Sequence, residues 1–180
     1  MASRQRGGVR LRSRPHCGVG CVCRGHLAGL FGVTAGNADL EGTLGEHLDV
    51  SSDVQAVGDY YGPTELLTIG EQTIRGAAIS GFVASLLGGP AGTLTDLALL
   101  ASPVSHVDAE DAPFLIVHGD ADDLVAPQQS VTLHEALVAA GVSSELILIE
   151  GARHGGMTGW SGPILRDVRA FFDGVVADED

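Results

Sequence analysis

Two short polar loops hold the residues best suited to chemistry. One reads His118-Gly119-Asp120-Ala121-Asp122-Asp123-Leu124-Val125-Ala126-Pro127 and follows the apolar run Phe114–Val117. The other reads Glu150-Gly151-Ala152-Arg153-His154-Gly155-Gly156 and follows Glu145–Ile149. An acid after one strand and a histidine after the next can orient and tune an imidazole base. The same residues also have a plainer reading, in which Asp120, Asp122 and Asp123 cap and turn the chain and His154 is an exposed loop histidine. On the residues alone both readings stand. A third cluster, His16, Cys17, Cys21 and Cys23, suggests a metal. It lacks the second ligand pair that structural zinc sites use, so no metal and no cofactor are expected.

The elements that must position these loops can be read from apolar patterning. Val54–Tyr61 is an apolar run with β-formers, ended by Gly62-Pro63, and Thr64 is placed to cap the segment after it. Residues 64–101 read as glycine-interrupted helical material, and His26–Thr34 as a short helix. Phe114–Val117 is a short all-apolar run, as suits a parallel strand buried on both faces. Pro127–Ala140 is an amphipathic helix closed by Gly141, Glu145–Ile149 another strand, and Pro163–Val176 a final helix with apolar residues near i, i+3, i+4 spacing. Three strands alternating with helices predict an α/β fold with a mostly parallel sheet flanked by helices. Such sheets place chemistry at the carboxyl ends of their strands, where both loops fall.

The chain has 180 residues, 44% of them hydrophobic, and a formal charge of −13. That is enough apolar material for one core, and no apolar run reaches the ~18 residues of a membrane span. The acidic balance excludes a nucleic-acid partner, which would call for a basic face. The charge is uneven. There is no lysine, six of the ten arginines lie before residue 25, and no acid precedes Asp39. All three cysteines also lie in this head. It has neither the apolar core of a secretory signal nor the amphipathic pattern of a transit peptide. The expected division is therefore a head, 1–25, unrelated to the body, and a domain over 26–177. With the head set aside, no cysteine and no signal remain, and cytoplasm is the default compartment.

At three blocks the chain resembles the α/β-hydrolase superfamily, and within it the esterase/lipase-like group of acetyl-esterase and feruloyl-esterase-like enzymes, near prolyl-oligopeptidase-type domains. Ala56–Leu66 (AVGDYYGPTEL) is similar to that group's strand followed by Y-G-P-T-D-L. Ser102–Pro127 is similar to its S-P…P-P-F-L-I-x-H-G-x-x-D-x-x-V-P, with the proline one place late, and Gly151–Gly156 (GARHGG) to its G-A-x-H-G. The resemblance implies the C-terminal portion of an α/β-hydrolase fold. It also implies a Ser-Asp-His triad acting on a small-molecule carboxylic ester, with Asp122 as the acid and His154 as the general base. A non-catalytic hydrolase-like binding module and a prolyl-oligopeptidase-type peptidase are the alternatives, since these loops do not separate ester from amide substrates. No membrane partner is implied, and oligomers are compatible with all three.

The departure from the family lies at the nucleophile. Its serine sits in G-x-S-x-G on a tight strand-to-helix turn, and that motif is absent here. The matching stretch, before the family's G-H-L-A, reads Gly20-Cys21-Val22-Cys23-Arg24 ahead of Gly25-His26-Leu27-Ala28, so Val22 stands where the serine belongs. Back-translated into GC-rich codons and read one base later, His16–Gly25 becomes T-A-A-W-G-A-S-A-G, after which one added base restores G-H-L-A. A reading-frame disruption would account together for the arginine and cysteine excess, the absence of acids and the missing serine. The chain as written is expected to be inactive, and to be marginally stable or partner-dependent because its central strands would have an unpaired edge. Among other residues, His118 is expected to pack or hydrogen-bond at a strand end, and His106 and His134 to be surface or helix-face residues. Asp59-Tyr60-Tyr61 sits at a strand end, with lining of the acyl or alcohol pocket as the lesser alternative to a structural role; Met157 and Trp160 are expected to anchor the last helix or wall that pocket, Glu110-Asp111 to form a solvated turn, and the 178–180 tail to fray.

Overall fold

The four apolar residues Phe114–Val117 alternate between two cores. Phe114 and Ile116 pack with Val57, Ala28, Leu133 and Leu137 on one side. Leu115 and Val117 pack with Tyr60, Tyr61 and, from the last helix, Ile164, Val168 and Phe171 on the other. A strand covered on both faces needs apolar residues at every position, which is why the run lacks polar alternation.

The structure is a computed structural model, which describes residues 17–21, 23–43, 46, 50–155 and 162–177. Four strands, β1 (Cys17–Cys21), β2 (Ala56–Tyr60), β3 (Phe114–Gly119) and β4 (Ser144–Ile149), form one all-parallel sheet in the order β1-β2-β3-β4. The helices are α1 (Cys23–Val33), α2 (Ala38–Glu41), α3 (Gly76–Leu87), α4 (Thr95–Leu100), α5 (Gln128–Ala140) and α6 (Gly162–Ala177). Helices α1 and α5 cover one face of the sheet and α6 the other, as the α/β reading requires. The close approach of α1 to the sheet depends on Gly32, where a Cβ would lie 2.4 Å from Val57 and 2.6 Å from Phe114.

Three differences from the sequence reading have physical causes. The three expected strands are present, but β1 adds a fourth from within the cysteine-rich head; CGVGC offers little β-forming pattern, and pairing with β2 supplies the strand instead. Residues 64–101 are not continuous helix. They hold α3, α4 and two 3₁₀ turns wrapped around a satellite core of Leu66, Ile69, Ile79, Val83, Leu87, Ala98 and Val125. Thr64 caps no helix. Its N–H and hydroxyl are buried against Gln129, the hydroxyl donating to the Gln129 carbonyl at 2.7 Å, while Gln129 Oε1 accepts the N–H groups of Thr64 and Glu65, each at 2.7 Å.

Helix α5 ends as expected at Gly141, whose φ of 91° is left-handed. β1 and β4 are the edges of the described sheet. Beside β1, α1 leaves Leu27 and Phe31 exposed, and α3 leaves Phe82 and Leu86 exposed. No helix among the described residues is long and apolar enough to cross a membrane. The head before residue 17, Val22, Met157, Trp160 and the 178–180 tail lie outside the described residues.

Candidate active site

The loops after β3 and β4 are tied together by their backbones. Asp120 N–H donates to the Ile149 carbonyl at 3.1 Å and Ala121 N–H to the Ala152 carbonyl at 3.1 Å. Asp120 Oδ1 accepts the Gly151 N–H at 2.7 Å. The approach is so close that a Cβ at Gly119 would stand 2.2 Å from the Ala152 carbonyl oxygen. Glycine at 119 is therefore a condition of the two loops meeting.

What they bring together is Asp122 and His154. His154 Nδ1–H donates to Asp122 Oδ2 at 2.6 Å. A carboxylate only accepts, so the proton of that bond lies on Nδ1, and in the neutral ring the lone pair is then on Nε2. The other carboxylate oxygen is filled by backbone donors: Leu124 N–H at 2.9 Å and Val125 N–H at 3.0 Å reach Oδ1. A second histidine backs the pair. His118 Nε2–H donates to the Val125 carbonyl at 3.0 Å and lies 3.3 Å from Asp122 Oδ2, while its Nδ1 is 2.6 Å from Ser130 Oγ. His118 is fully buried at the strand end, packed and hydrogen-bonded, and its contact with Asp122 is the part that its position in the chain does not announce.

These contacts decide the charge of Asp122. Burial alone would push its carboxyl up. The hydrogen bonds from His118, His154 and the Leu124 N–H overcome that and hold it well below the usual carboxylate range. Asp122 is thus an anion at neutral pH, aimed at one nitrogen of an imidazole whose side chain remains partly exposed. Asp120 and Asp123 serve the loops. Asp120 latches Gly151, and Asp123 faces Arg75 at 3.6 Å and Arg153 at 3.7 Å in exposed ion pairs that contribute little.

The third wall comes from the end of β2. Tyr61 has a φ of 44°, the positive value of a bulky residue forced into the left-handed region, a conformation that costs of order 1–3 kcal/mol. Its ring centroid lies 5.2 Å from that of His154 and 6.3 Å from that of His118. Asp59, two residues earlier, is completely buried; burial pushes its carboxyl up to about 6, against the pull of His118 and the Gly62 N–H. Of the Asp59-Tyr60-Tyr61 run, Tyr61 faces the His154 pair, whereas Asp59 and Tyr60 are sealed in the interior. Among the remaining histidines, His134 is half-buried against Ser144 Oγ at 2.9 Å and His106 binds the Leu100 carbonyl at 2.8 Å. Asp111 is more than a solvated turn residue: half-buried and accepting the Asp108 N–H, it is pushed up to about 6, chiefly by burial.

Near the acid loop an apolar cavity of about 450 Å³ is lined by Cys23 and Leu27 of α1, Phe82 and Leu86 of α3, Pro63 and Leu124. Among the described residues no group of three or more His, Cys, Asp or Glu side chains could hold a metal ion.

Comparison with known proteins matches the BD-FAE family model to residues 17–137. Among solved structures, a truncated carbohydrate esterase from gut microbiota is 31% identical, with a TM-score of 0.76 over 87% of this chain and 58% of its own. A bifunctional GH43-CE protein of Bacteroides eggerthii is 30% identical, with a TM-score of 0.76 over 87% of this chain and 23% of its own. An esterase of Thermogutta terrifontis is 26% identical, with a TM-score of 0.61 over 91% of this chain and 52% of its own. A non-reducing polyketide synthase of Penicillium brasilianum is 43% identical over 56 residues, 30% of this chain and 2% of the synthase. The chain thus spans little more than half of the esterases it resembles, and less of the larger proteins.

Proposed function

Because the chain belongs to the BD-FAE family of esterase-like α/β-hydrolase domains, we propose that it carries the acid and base of a serine carboxylic-ester hydrolase. In this reading His154 is the general base and Asp122 the acid that fixes its tautomer. The observation that carries it is the 2.6 Å bond from His154 Nδ1 to an Asp122 carboxylate that accepts hydrogen bonds at both oxygens. That bond leaves Nε2 free to take the proton of an attacking hydroxyl and pass it to a leaving alcohol. Asp122, anionic and held by four donors, stabilises the imidazolium formed between those steps.

The attacking serine belongs between β1, which ends at Cys21, and α1, which begins at Cys23. The sequence has Val22 there, and valine has no nucleophile. The chain as written is therefore proposed to be inactive, its first 25 residues recording a frame disruption in a gene whose intact product is the esterase. A small-molecule ester is the proposed substrate of that product. A cytoplasmic setting, the default for a body that has no cysteine once the head is set aside, belongs to the same proposal.

A second reading, a non-catalytic binding module, is favoured by the same missing serine together with the apolar cavity beside the acid loop. Hydrolysis of p-nitrophenyl acetate separates the two. The chain in which T-A-A-W-G-A-S-A-G-G replaces His16–Gly25 should release nitrophenol while the unmodified chain does not. Equal, background-level release from both folded chains would favour the binding module.

A further inference from the structure

We infer that Tyr61 is a positioning residue for the His154 imidazole, held in place by a turn that cannot relax. The inference rests on His154 being the base, but it concerns the orientation of the ring rather than turnover.

His154 makes one side-chain hydrogen bond among the described residues, through Nδ1 to Asp122. One bond fixes a point on the ring and leaves the plane free to tilt about the Nδ1–Oδ2 line. A proton acceptor at Nε2 has to keep its lone pair aimed at the reacting hydroxyl, so a second constraint is needed. Tyr61 supplies it. Its ring is inclined at 62° to the imidazole with centroids 5.2 Å apart, an edge-to-face contact.

The backbone conformation that aims Tyr61 this way is unfavourable for any residue but glycine, and three buried constraints impose it. Tyr61 N–H extends the ladder to the Val117 carbonyl at 3.0 Å. Gly62 N–H is held by Asp59 Oδ1 at 3.0 Å inside the core. Gly62 is wedged so tightly that a Cβ would lie 2.4 Å from Asp59 Oδ1 and 2.8 Å from the backbone of Gly25. Turning Tyr61 to an ordinary φ would break one of these. Among the described residues no other non-glycine residue has a positive φ, and this one faces the proposed base. Strain of that kind persists where the surroundings over-determine it, and such sites cluster at functional centres.

The test is proton NMR of the full chain with labelled histidines, following the low-field Nδ1 proton of His154 and its exchange with solvent. The unmodified chain and Tyr61→Phe should show the resonance with similar exchange. Tyr61→Gly removes the ring and relieves the backbone penalty, which offsets part of the cost of deleting a buried side chain. Its exchange should quicken roughly three- to tenfold, the change that loss of one aromatic pair supports. Tyr61→Leu should behave in the same way, separating ring shape from apolar bulk. Unchanged exchange in a folded Tyr61→Gly chain would overturn the role of Tyr61 while leaving the Asp122–His154 pair intact. Accelerated exchange in Tyr61→Phe would overturn it as well, by assigning the effect to the hydroxyl. Absence of the resonance from the unmodified chain would overturn the pair and the role of Tyr61 together.

Discussion

At the carboxyl end of β3, both carboxylate oxygens of Asp122 have donors, and the loop that presents it is latched to the next by backbone bonds. At the carboxyl end of β1, the sequence has Val22 between the strand and α1, and that helix presents Cys23, Leu27 and Phe31 to solvent. One end is a closed set of polar groups satisfied by one another; at the other α1 turns apolar side chains to solvent, and the sequence has no hydroxyl at position 22. The difference shows that the Asp122–His154 pair takes its geometry without a hydroxyl at position 22. Its geometry is enforced by local hydrogen bonding, by burial and by the missing Cβ of Gly119, so it persists in a chain that lacks the residue it would serve.

The comparison breaks most visibly if Asp122 is removed. Asp122→Ala leaves the His154 Nδ1–H and the Leu124 and Val125 N–H groups without their acceptor and removes the carboxylate beside His118, and should cost about 3–5 kcal/mol in denaturant unfolding. In the chain carrying serine in place of Val22, Asp122→Asn should lower hydrolysis by about 10⁴-fold. Next in size is Gly119→Ala, whose Cβ would collide with the Ala152 carbonyl. It should destabilise by roughly 1–3 kcal/mol and weaken the His154 bond, read as loss of its low-field proton.

A pH titration of stability separates two buried acids. Asp59 has a raised native pKa of about 6, so the folded protein holds its proton more tightly than the unfolded chain. Stability should then decline as pH rises from about 4 to about 6, by at most ~3 kcal/mol, and Asp59→Asn should flatten that slope. Asp122 has the opposite sign: its contribution is present above about 4 and is lost as the solution becomes more acidic. At the open end, Leu27→Glu and Phe31→Glu touch an exposed face and should change unfolding free energy by no more than about 0.5 kcal/mol. They should still reduce self-association in light scattering, which would mark that face as the adhesive one.

The comparison also shows what a sequence can disclose. The β3–α5–β4 unit was readable because its signals are local: an unbroken apolar run, a helix ended by Gly141, and polar loops directly after the strands. The loops alone do not separate Asp122 from Asp120 and Asp123; Asp122 and His154 are named by their places in the H-G-x-x-D and G-A-x-H-G patterns of the family the chain resembles. β1 was not readable, since its five residues acquire strand structure only by pairing with β2. The Gln129 clamp on Thr64 joins residues 65 apart in the chain and leaves no periodic trace. Tyr61 could be placed near the site, but not its backbone strain, which arises from the packing of Gly62 against Asp59 and Gly25.

The central claim is that Asp122 and His154 form a working base that lacks only its partner. Fluorophosphonate labelling of the Val22→Ser chain, with the modified residue located by mass spectrometry, tests it most directly. Covalent labelling at position 22 that disappears when His154 is also changed to alanine is the predicted result. A folded Val22→Ser chain that stays unlabelled, or labels equally well without His154, would contradict it.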